Sequence, residues 1–361
     1  MRIALVEPYY GGSHQAWADG YSESSAHTVT KVTHPARFWK WRMHGAFLTL
    51  ADQLAEDIDA NGAPDVILAS SMMNVAAFAG AIRTIAPNVP ISVYFHESQF
   101  TYPLSPADKV DATYPMKNWS SAAIADLVVF NSNYHQAVFR EEARKFLNVF
   151  PEYKHVGKVD DVIDASIVLP VGIDVESLDP FKPKPRNPPL IVWNQRWEHD
   201  KGPEELKVIV EGLIQSGVDF NMAMCGEVFV SVPPTYAEVT DLLGGRLIHG
   251  GWAERGQYTN LLNQASVVLS TAHQEFFGIG VTEAVAAGAH PVFPDRLVYP
   301  ERIADFRANP NRSLYESPQQ AVELISRSLS TDTDPDVAAS AGSFDWAHVA
   351  PRYDEALANL V

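Results

Sequence analysis

Glu275 and Glu283 stand eight positions apart in the run EFFGIGVTE, just after the apolar stretch SVVLS. At ~3.6 residues per turn, eight positions return to a similar helical face, so a helix here puts both carboxylates on one side. Carboxylates so placed suit recognition of hydroxyls on a sugar and a ribose. The glycine turn at the helix start would aim backbone N–H groups at a phosphate, with Glu275 beside them. Well upstream, Arg196 and Lys201 lie in NQRWEHDKG, beyond another apolar run. There they could hold a diphosphate without metal, arginine as a planar fork and lysine as a point charge. Glu198 and Asp200 could instead pair with these cations in a solvated loop, and the residues alone leave both readings open.

Polar clusters recur where other apolar runs end. The first run leads into Gly11, Gly12, Ser13 and His14, the fourth into His96, Glu97, Ser98 and Gln99, and the fifth into Asn131 and Ser132. In an open parallel sheet, ligands bind outside the carboxyl ends of the strands. Glycines allow close backbone approach, while His and Glu bring donors, acceptors and proton-transfer groups. The alternatives are a tight strand-to-helix turn at GGSH and a satisfied histidine at position 96. GGSH is not a GxGxxG fingerprint, and no acidic ribose partner follows ~20 residues on, which counts against a dinucleotide oxidoreductase. After the second run, PARFWKWRMH interleaves Arg37, Lys40 and Arg42 with Phe38, Trp39 and Trp41. That pattern fits a surface for base stacking and phosphate contact, or a loop whose tryptophans pack inward while the cations snorkel. Taken alone, it favours the loop.

No metal is expected. Asp57 and Asp59 have DxD spacing but lie in an amphipathic helical pattern, and Asp332, Asp334 and Asp336 read as a solvated Thr/Pro-rich loop. The 12 histidines form no HExxH pattern, and Cys225, the only cysteine, excludes an intramolecular disulfide and any cysteine-rich zinc site.

The elements that must position these residues follow from apolar periodicity. Strand-like runs at 2–9, 28–32, 65–69, 91–95, 127–131 and 166–170 alternate with helical patterns such as 43–60, 72–86 and 134–147. The second half repeats the scheme, with strands at 190–195, 220–225, 246–249, 266–270 and 290–293. Its helical patterns lie at 204–216, 236–243, 257–264 and 280–287. LVVF and SVVLS are apolar on both faces, as buried parallel strands are. An α/β chain of two doubly wound, Rossmann-like domains is expected, in keeping with 361 residues at ~100–200 per domain. The segment DPFKPKPRNPP, 179–189, carries five prolines and reads as the linker between a first domain, 1–178, and a second, 190–344.

Formal net charge is −17, which opposes bulk attraction to nucleic acid or an anionic membrane. Residues 1–187 hold 16 Lys/Arg against 21 Asp/Glu, whereas residues 188–361 hold 11 against 23. An anionic partner would therefore meet less repulsion on the first half, and would still need a local basic patch. With 46% hydrophobic and 20% charged residues the chain is neither disordered nor fibrous. No run approaches ~18 apolar residues, and the start has no cationic signal-peptide pattern, so a cytoplasmic protein without membrane contact is expected.

These motifs resemble the GT-B glycosyltransferases of the retaining family 4 type, on the strength of Arg196, Lys201 and the Glu275–Glu283 pair. Over most of the chain, EPYYGGSH, PARFWKWR, YFHESQ, VVFNS, WNQRWEHDK, EFFG…EA and DRLVYPE, in that order, are similar to the tRNA-queuosine α-mannosyltransferase family. The resemblance implies two domains facing a cleft and a C-terminal helix, 345–361, crossing back to the first. It implies GDP-mannose as donor substrate, queuosine-bearing tRNA as acceptor and retention at the anomeric carbon. By the same resemblance, Arg196 and Lys201 stabilise the departing diphosphate, Glu275 holds mannose hydroxyls, and His96 completes the catalytic set. Gly12, Ser13, Gly226, Gly251, Trp252, Phe277, Gly278, Ile279 and Glu283 fall on the donor side, with Gly251 and Trp252 at the guanine. His14, Arg37, Trp39, Lys40, Trp41, Arg42, Glu97, Gln99 and Asn131 fall on the acceptor side. Alternatives are a family 4-type transferase acting on a lipid or small molecule, and a non-catalytic RNA-binding protein on the same fold. The oligomeric state is left open.

Overall fold

The computed structural model describes residues 1–103, 111–178, 187–227, 233–330 and 334–361. Asp332 and all but the last three residues of the expected linker lie outside these. The chain forms two compact units, one of Met1–Gly172 with Trp346–Val361, the other of Ile173–Asp345.

The first unit runs β1 (Arg2–Tyr10), α1 (Gly12–Ser24), β2 (Thr28–Pro35), α2 (Trp39–Asn61), β3 (Val66–Ser70), α3 (Val75–Ile82), β4 (Ile91–Phe95), α4 (Thr113–Ile124), β5 (Leu127–Phe130), α5 (Asn133–Asn148), α6 (Val156–Asp164) and β6 (Ile167–Val168). The sheet is parallel, in order β2-β1-β3-β4-β5-β6, with Ile3 opposite both Val29 and Val66. Strands β3 and β4 are buried along their whole length, because helices cover both faces. On one face Val6, Ile67, Val93 and Phe95 pack with Leu50 and Leu54 of α2 and Phe78 of α3. Polar caps start several helices: Asn74 accepts from the Ala77 amide and Ser132 from the His135 amide.

The second unit runs β7 (Leu190–Trp193), α7 (Pro203–Gln215), β8 (Asn221–Met224), α8 (Pro234–Leu243), β9 (Leu247–Gly250), α9 (Arg255–Gln264), β10 (Ala265–Leu269), α10 (Ile279–Ala286), β11 (His290–Pro294), α11 (Tyr299–Asp305), α12 (Pro310–Ser313), β12 (Leu314–Tyr315), α13 (Pro318–Ser328) and α14 (Pro335–Gly342). Its parallel sheet has the order β12-β11-β10-β7-β8-β9.

The expected crossover helix is α15 (Trp346–Ala358), and it packs within the first unit. Trp346, Val349, Tyr353 and Leu357, the apolar stripe of the sequence pattern, are all buried. The Trp346 indole lies against Gly20 and Gly172, where an added Cβ would stand 2.0 and 2.2 Å from the ring. Asp354 accepts hydrogen bonds from Tyr21 Oη at 2.8 Å, Ser25 Oγ at 2.6 Å and the Ala26 amide at 2.9 Å.

Strand order reverses between β1 and β3 in the first sheet and between β7 and β10 in the second. Ligands of doubly wound sheets bind at such switch points, beyond the strands' carboxyl ends. The GGSH loop follows β1, while Arg196 and Lys201 follow β7 and Glu275 follows β10. Three features depart from the sequence reading, the first being that residues 173–178, expected in the first domain, belong to the second unit. β12 was not expected, since two residues carry no periodicity. Helix α2 begins at Trp39 instead of position 43, because Phe38, left-handed at φ 54°, starts it with no polar side-chain cap to mark the place.

Candidate functional site

In the second unit, hydrogen bonds lace the ends of β7 and β10. Trp193 Nε1 donates to Thr271 Oγ1 at 3.0 Å, the Thr271 hydroxyl donates to the Lys201 carbonyl at 2.7 Å, and Gln195 Nε2 donates to Ser270 Oγ at 2.7 Å. The Asp200 carbonyl accepts from the His273 amide at 2.7 Å. Arg296, in the DRLVYPE tract, donates to the carbonyls of Ala272 and Thr271 and to Glu205. Two loops far apart in sequence thus become one surface.

On that surface Lys201 Nζ donates to the Gln274 carbonyl at 2.8 Å and lies 3.2 Å from Asp200 Oδ2 and 3.5 Å from Glu275 Oε2. Burial works against its charge, but Glu275 and Asp200 outweigh it and hold the ammonium above the ordinary lysine value. Arg196 is exposed and pairs with Glu198 at 3.1 Å. Burial raises the Glu198 carboxyl above its ordinary value despite this cation. The acid–base pairs read as an alternative from sequence therefore exist. They hold both cations at the switch point.

Glu275 differs from expectation. Its Oε1 accepts from the amides of Phe276, Phe277 and Gly278 at 3.1, 3.2 and 3.0 Å. The N–H groups expected to face a phosphate are engaged by the chain's own carboxylate, which also suits the positive end of α10. Oε2 is thereby aimed at Lys201. Gly278 permits the turn with φ +83°, where a Cβ would meet Val281 at 2.8 Å. Phe277 is buried, its ring against the Arg302 guanidinium at 4.7 Å, so it offers this site backbone only. Ile279 is half-buried at the first position of α10.

Glu283 lies within α10, but Glu275 precedes that helix, so the two carboxylates do not share the helical face their spacing suggested, and the Glu283 oxygens are taken. Oε1 accepts from Arg255 Nη1 at 2.7 Å and Oε2 from Tyr258 Oη at 2.9 Å. Burial, then the Glu283 charge, pushes the Tyr258 hydroxyl far above its ordinary value. Arg255 also reaches Ser177 Oγ at 2.9 Å and Asp174 at 3.4 Å. Gly226 is buried, with its Cα so close to the Gln195 carbonyl that a Cβ would stand 1.6 Å from the oxygen. Gly251 is buried and left-handed, and Trp252 beside it is 61% exposed.

In the first unit, Gly12 and Ser13 are exposed at the start of α1, which has no side-chain cap. His14 is buried and its Nδ1 donates to Glu7 Oε2 at 3.0 Å, while the other Glu7 oxygen accepts from the Tyr9 amide at 2.8 Å. His96 Nε2 lies 3.7 Å from Glu7 Oε2 and, among the described residues, has no hydrogen-bond partner. Burial, then the neighbouring His14 and His135, pull His96 well below the ordinary histidine value, so it is neutral. Glu7, His14 and His96 are also the one group among the described residues whose ligand atoms, all within 4.8 Å of one another, could share a metal ion. Asn131 is buried, donating to the His96 carbonyl at 2.9 Å and contacting His135 Nδ1 at 2.9 Å. Expected to touch an acceptor, it holds His96 in place instead. Gln99 donates to Glu97 at 2.8 Å.

The Arg37–His44 stretch is the exposed start of α2, not a loop with inward tryptophans. Trp41 is 64% exposed along Gly45, and Phe38 is 77% exposed. Trp39 is half-buried near Tyr114, with Lys40 over its ring at 5.6 Å. Arg37 is exposed, whereas Arg42 donates to the Pro35 carbonyl at 3.2 Å and fastens the helix to β2. Sequence reasoning passed over Glu7, Arg255, Tyr258 and Arg302. Only Glu7 carried a signal, being an acid inside an otherwise apolar strand.

Burial pushes the Cys225 thiol up to about 12, which removes it as a nucleophile. Each unit thus carries its own set of groups: paired cations and carboxylates on the second, and buried imidazoles with a basic, aromatic helix start on the first.

Comparison with known proteins matches residues 2–173 to the N-terminal family described as tRNA-queuosine alpha-mannosyltransferase and residues 174–342 to glycosyl transferases group 1. The tRNA-queuosine alpha-mannosyltransferase of Drosophila melanogaster is 31% identical over 312 residues, 83% of this chain and 81% of that protein. Similar solved structures include sucrose-phosphate synthase from Thermosynechococcus elongatus (TM-score 0.71, 15% identity, covering 100% of this chain and 99% of that one). Another is the Anabaena protein HepE in complex with UDP (TM-score 0.68, 16% identity, covering 99% and 100%). At such identities the likeness is one of GT-B fold.

Proposed function

Because the chain belongs to the tRNA-queuosine alpha-mannosyltransferase family, we propose that this hexosyltransferase moves mannose from GDP-mannose to queuosine in a tRNA anticodon, with retention at the anomeric carbon. The observation that carries this reading is the joining of Lys201 to Glu275 at the second sheet's switch point, in a chain whose Drosophila relative is named for that activity.

The second unit takes the donor. Lys201 and Arg196 stabilise the negative charge that grows on the departing diphosphate, in the place where other transferases use a metal ion. Lys201 is already oriented, so little reorganisation accompanies transfer. The fixed Oε2 of Glu275 accepts from sugar hydroxyls, while Glu283, held by Arg255 and Tyr258, meets the ribose. Exposed Trp252 offers its indole face to the guanine.

The first unit takes the acceptor. Arg37 and Lys40 contact phosphates, which position an RNA without reading it, and Trp41 offers a ring to an unstacked base. His14 and neutral His96 hold hydroxyls of the modified base. Front-face transfer needs no enzymic nucleophile, and none is assigned. An RNA substrate fits a cytoplasmic location, and among the described residues no helix is long and apolar enough to cross a membrane.

The test is to incubate the protein with queuosine-bearing and queuosine-free tRNA and a panel of nucleotide sugars, then analyse the nucleosides by mass spectrometry. One added hexose on queuosine, from GDP-mannose alone, is expected. Equal modification of both tRNAs would reject the acceptor, and preference for another nucleotide sugar would reject the donor.

A further inference from the structure

Lys117, on α4, is only 9% exposed, yet among the described residues no carboxylate lies in ion-pair range of its ammonium. Nζ has two long contacts, 3.5 Å to His44 Nε2 and 3.4 Å to the Thr113 carbonyl of its own helix. It also lies over the Tyr114 ring at 5.3 Å. Burial lowers its proton affinity, and Asp111 only partly offsets this. A buried charge is costly unless paired and hydrogen-bonded, so this position is incomplete as it stands. Its surroundings suit an anion joined to a planar ring. Tyr114 packs at 5.3 Å from both Trp39 and His44. Lys117 also borders a cavity of about 410 Å³, with Asn74, Thr113 and Ser120 as polar neighbours and Phe146 and Phe150 as apolar ones. Exposed Arg37 and Lys40 stand near Trp39 in the chain, so a polyanion would meet several cations along one path.

We propose that Lys117 and His44 form an anion subsite that takes a phosphodiester of the RNA acceptor, with Trp39 and Tyr114 beside it to receive the adjoining base. This rests on the RNA-acceptor reading and deepens it. A phosphodiester supplies the missing counter-charge and accepts from both the ammonium and the imidazole. The donor diphosphate already has its cations, Arg196 and Lys201, in the other unit. A base–aromatic contact next to a phosphate contact is how single-stranded loops are gripped.

The experiment measures binding of a tRNA anticodon stem-loop by fluorescence anisotropy across salt concentrations, for the parent and Lys117→Met, with melting temperatures for both. Methionine keeps the length and apolar stem. Binding should weaken roughly tenfold, as for loss of one charged hydrogen bond. The slope of log affinity against log salt should shrink by about 0.7, the contribution of one single-strand phosphate contact. The melting temperature should hold or rise, since replacing an uncompensated buried charge by a methionine relieves its desolvation. An unchanged slope in a variant as stable as the parent overturns the subsite. So does a marked fall in melting temperature, which would make Lys117 structural. Inorganic phosphate is the second probe: if it stabilises the parent and not Lys117→Met while the RNA slope is unchanged, the subsite belongs to free phosphate and the RNA assignment is wrong. If the parent binds no RNA at all, the acceptor reading itself has failed.

Discussion

The carboxylate of Glu7, with no exposed surface at all, accepts from Nδ1 of His14 at 3.0 Å. A charge inside a strand of a doubly covered sheet must be paired, and its partner here is an imidazole one loop further along the chain. The pairing fixes the His14 ring and directs its other nitrogen away from the strand. Glu7→Gln should lower transfer roughly tenfold to a hundredfold, the scale of mispositioning a reacting group, and leave GDP affinity unchanged. Parental turnover in this variant, measured with saturating donor, would assign Glu7 to folding alone.

Arg196→Ala and Lys201→Ala should each reduce turnover by roughly 10²–10³, the effect of losing one preorganised transition-state donor. Arg196 is the cleaner probe, being exposed, whereas Lys201 also ties together two loops. Full activity should persist in a chelator. Activity abolished by chelation and restored by a divalent cation would contradict this, and Glu7, His14 and His96 would be the first place to look for the ion.

Trp39 and Trp41 are two residues apart and should behave differently. Trp39→Ala removes a half-buried ring packed near Tyr114 and should cost about 2 kcal/mol of stability. Trp41→Ala should leave stability within about 0.5 kcal/mol and weaken tRNA binding, since its ring is mostly exposed. Both variants should bind RNA more weakly, because Trp39 also borders the proposed subsite, and denaturant titration separates the packing role of Trp39 from the exposed Trp41. Equal stability loss in the two would rule out Trp41 as a stacking surface.

Acid should destabilise the first unit through His135. Burial lowers its value from 6.5 to about 3, so the folded chain keeps this ring neutral. Below about 6.5 the unfolded chain takes up a proton that the folded chain refuses. Stability from this group is therefore complete above 6.5 and is lost as the pH falls toward 3. At pH 5 the loss amounts to roughly 2 kcal/mol. In His135→Gln that component should be missing from urea unfolding compared at pH 7 and pH 5. An identical pH slope in parent and variant would show that His135 is not the source.

Strands were legible in the sequence because runs such as LVVF are apolar on both faces, which few other structures require. Helix α10 was legible too, but the Glu275–Glu283 spacing misled, because Glu275 sits in the turn before a helix that begins only at Ile279. What each carboxylate would face was not legible. The three amides on Glu275 Oε1 come from a turn whose closure no periodicity reports, and Arg255 lies 28 positions from Glu283 in a different helix. The start of α2 was obscured by its left-handed Phe38, because the usual Ser, Thr, Asp or Asn signal is missing. Lys117 gave no sign at all. A lysine inside a helical pattern normally reaches water, and no periodicity reports that His44 of another helix comes to lie beside this one.

The return of α15 to the first unit also sets an order of events during synthesis. The surface around Trp17, Tyr21, Gly20 and Gly172 is finished only by Trp346, Tyr353 and Asp354, so it emerges from the ribosome long before its cover. At about 5–20 residues per second, making the intervening second unit takes on the order of ten seconds or more. Throughout that interval the nascent first sheet carries an uncovered aromatic groove and a tyrosine awaiting its carboxylate. A fragment cut after Gly172 would keep that groove permanently open. Supplying residues 346–361 as a separate peptide should close it.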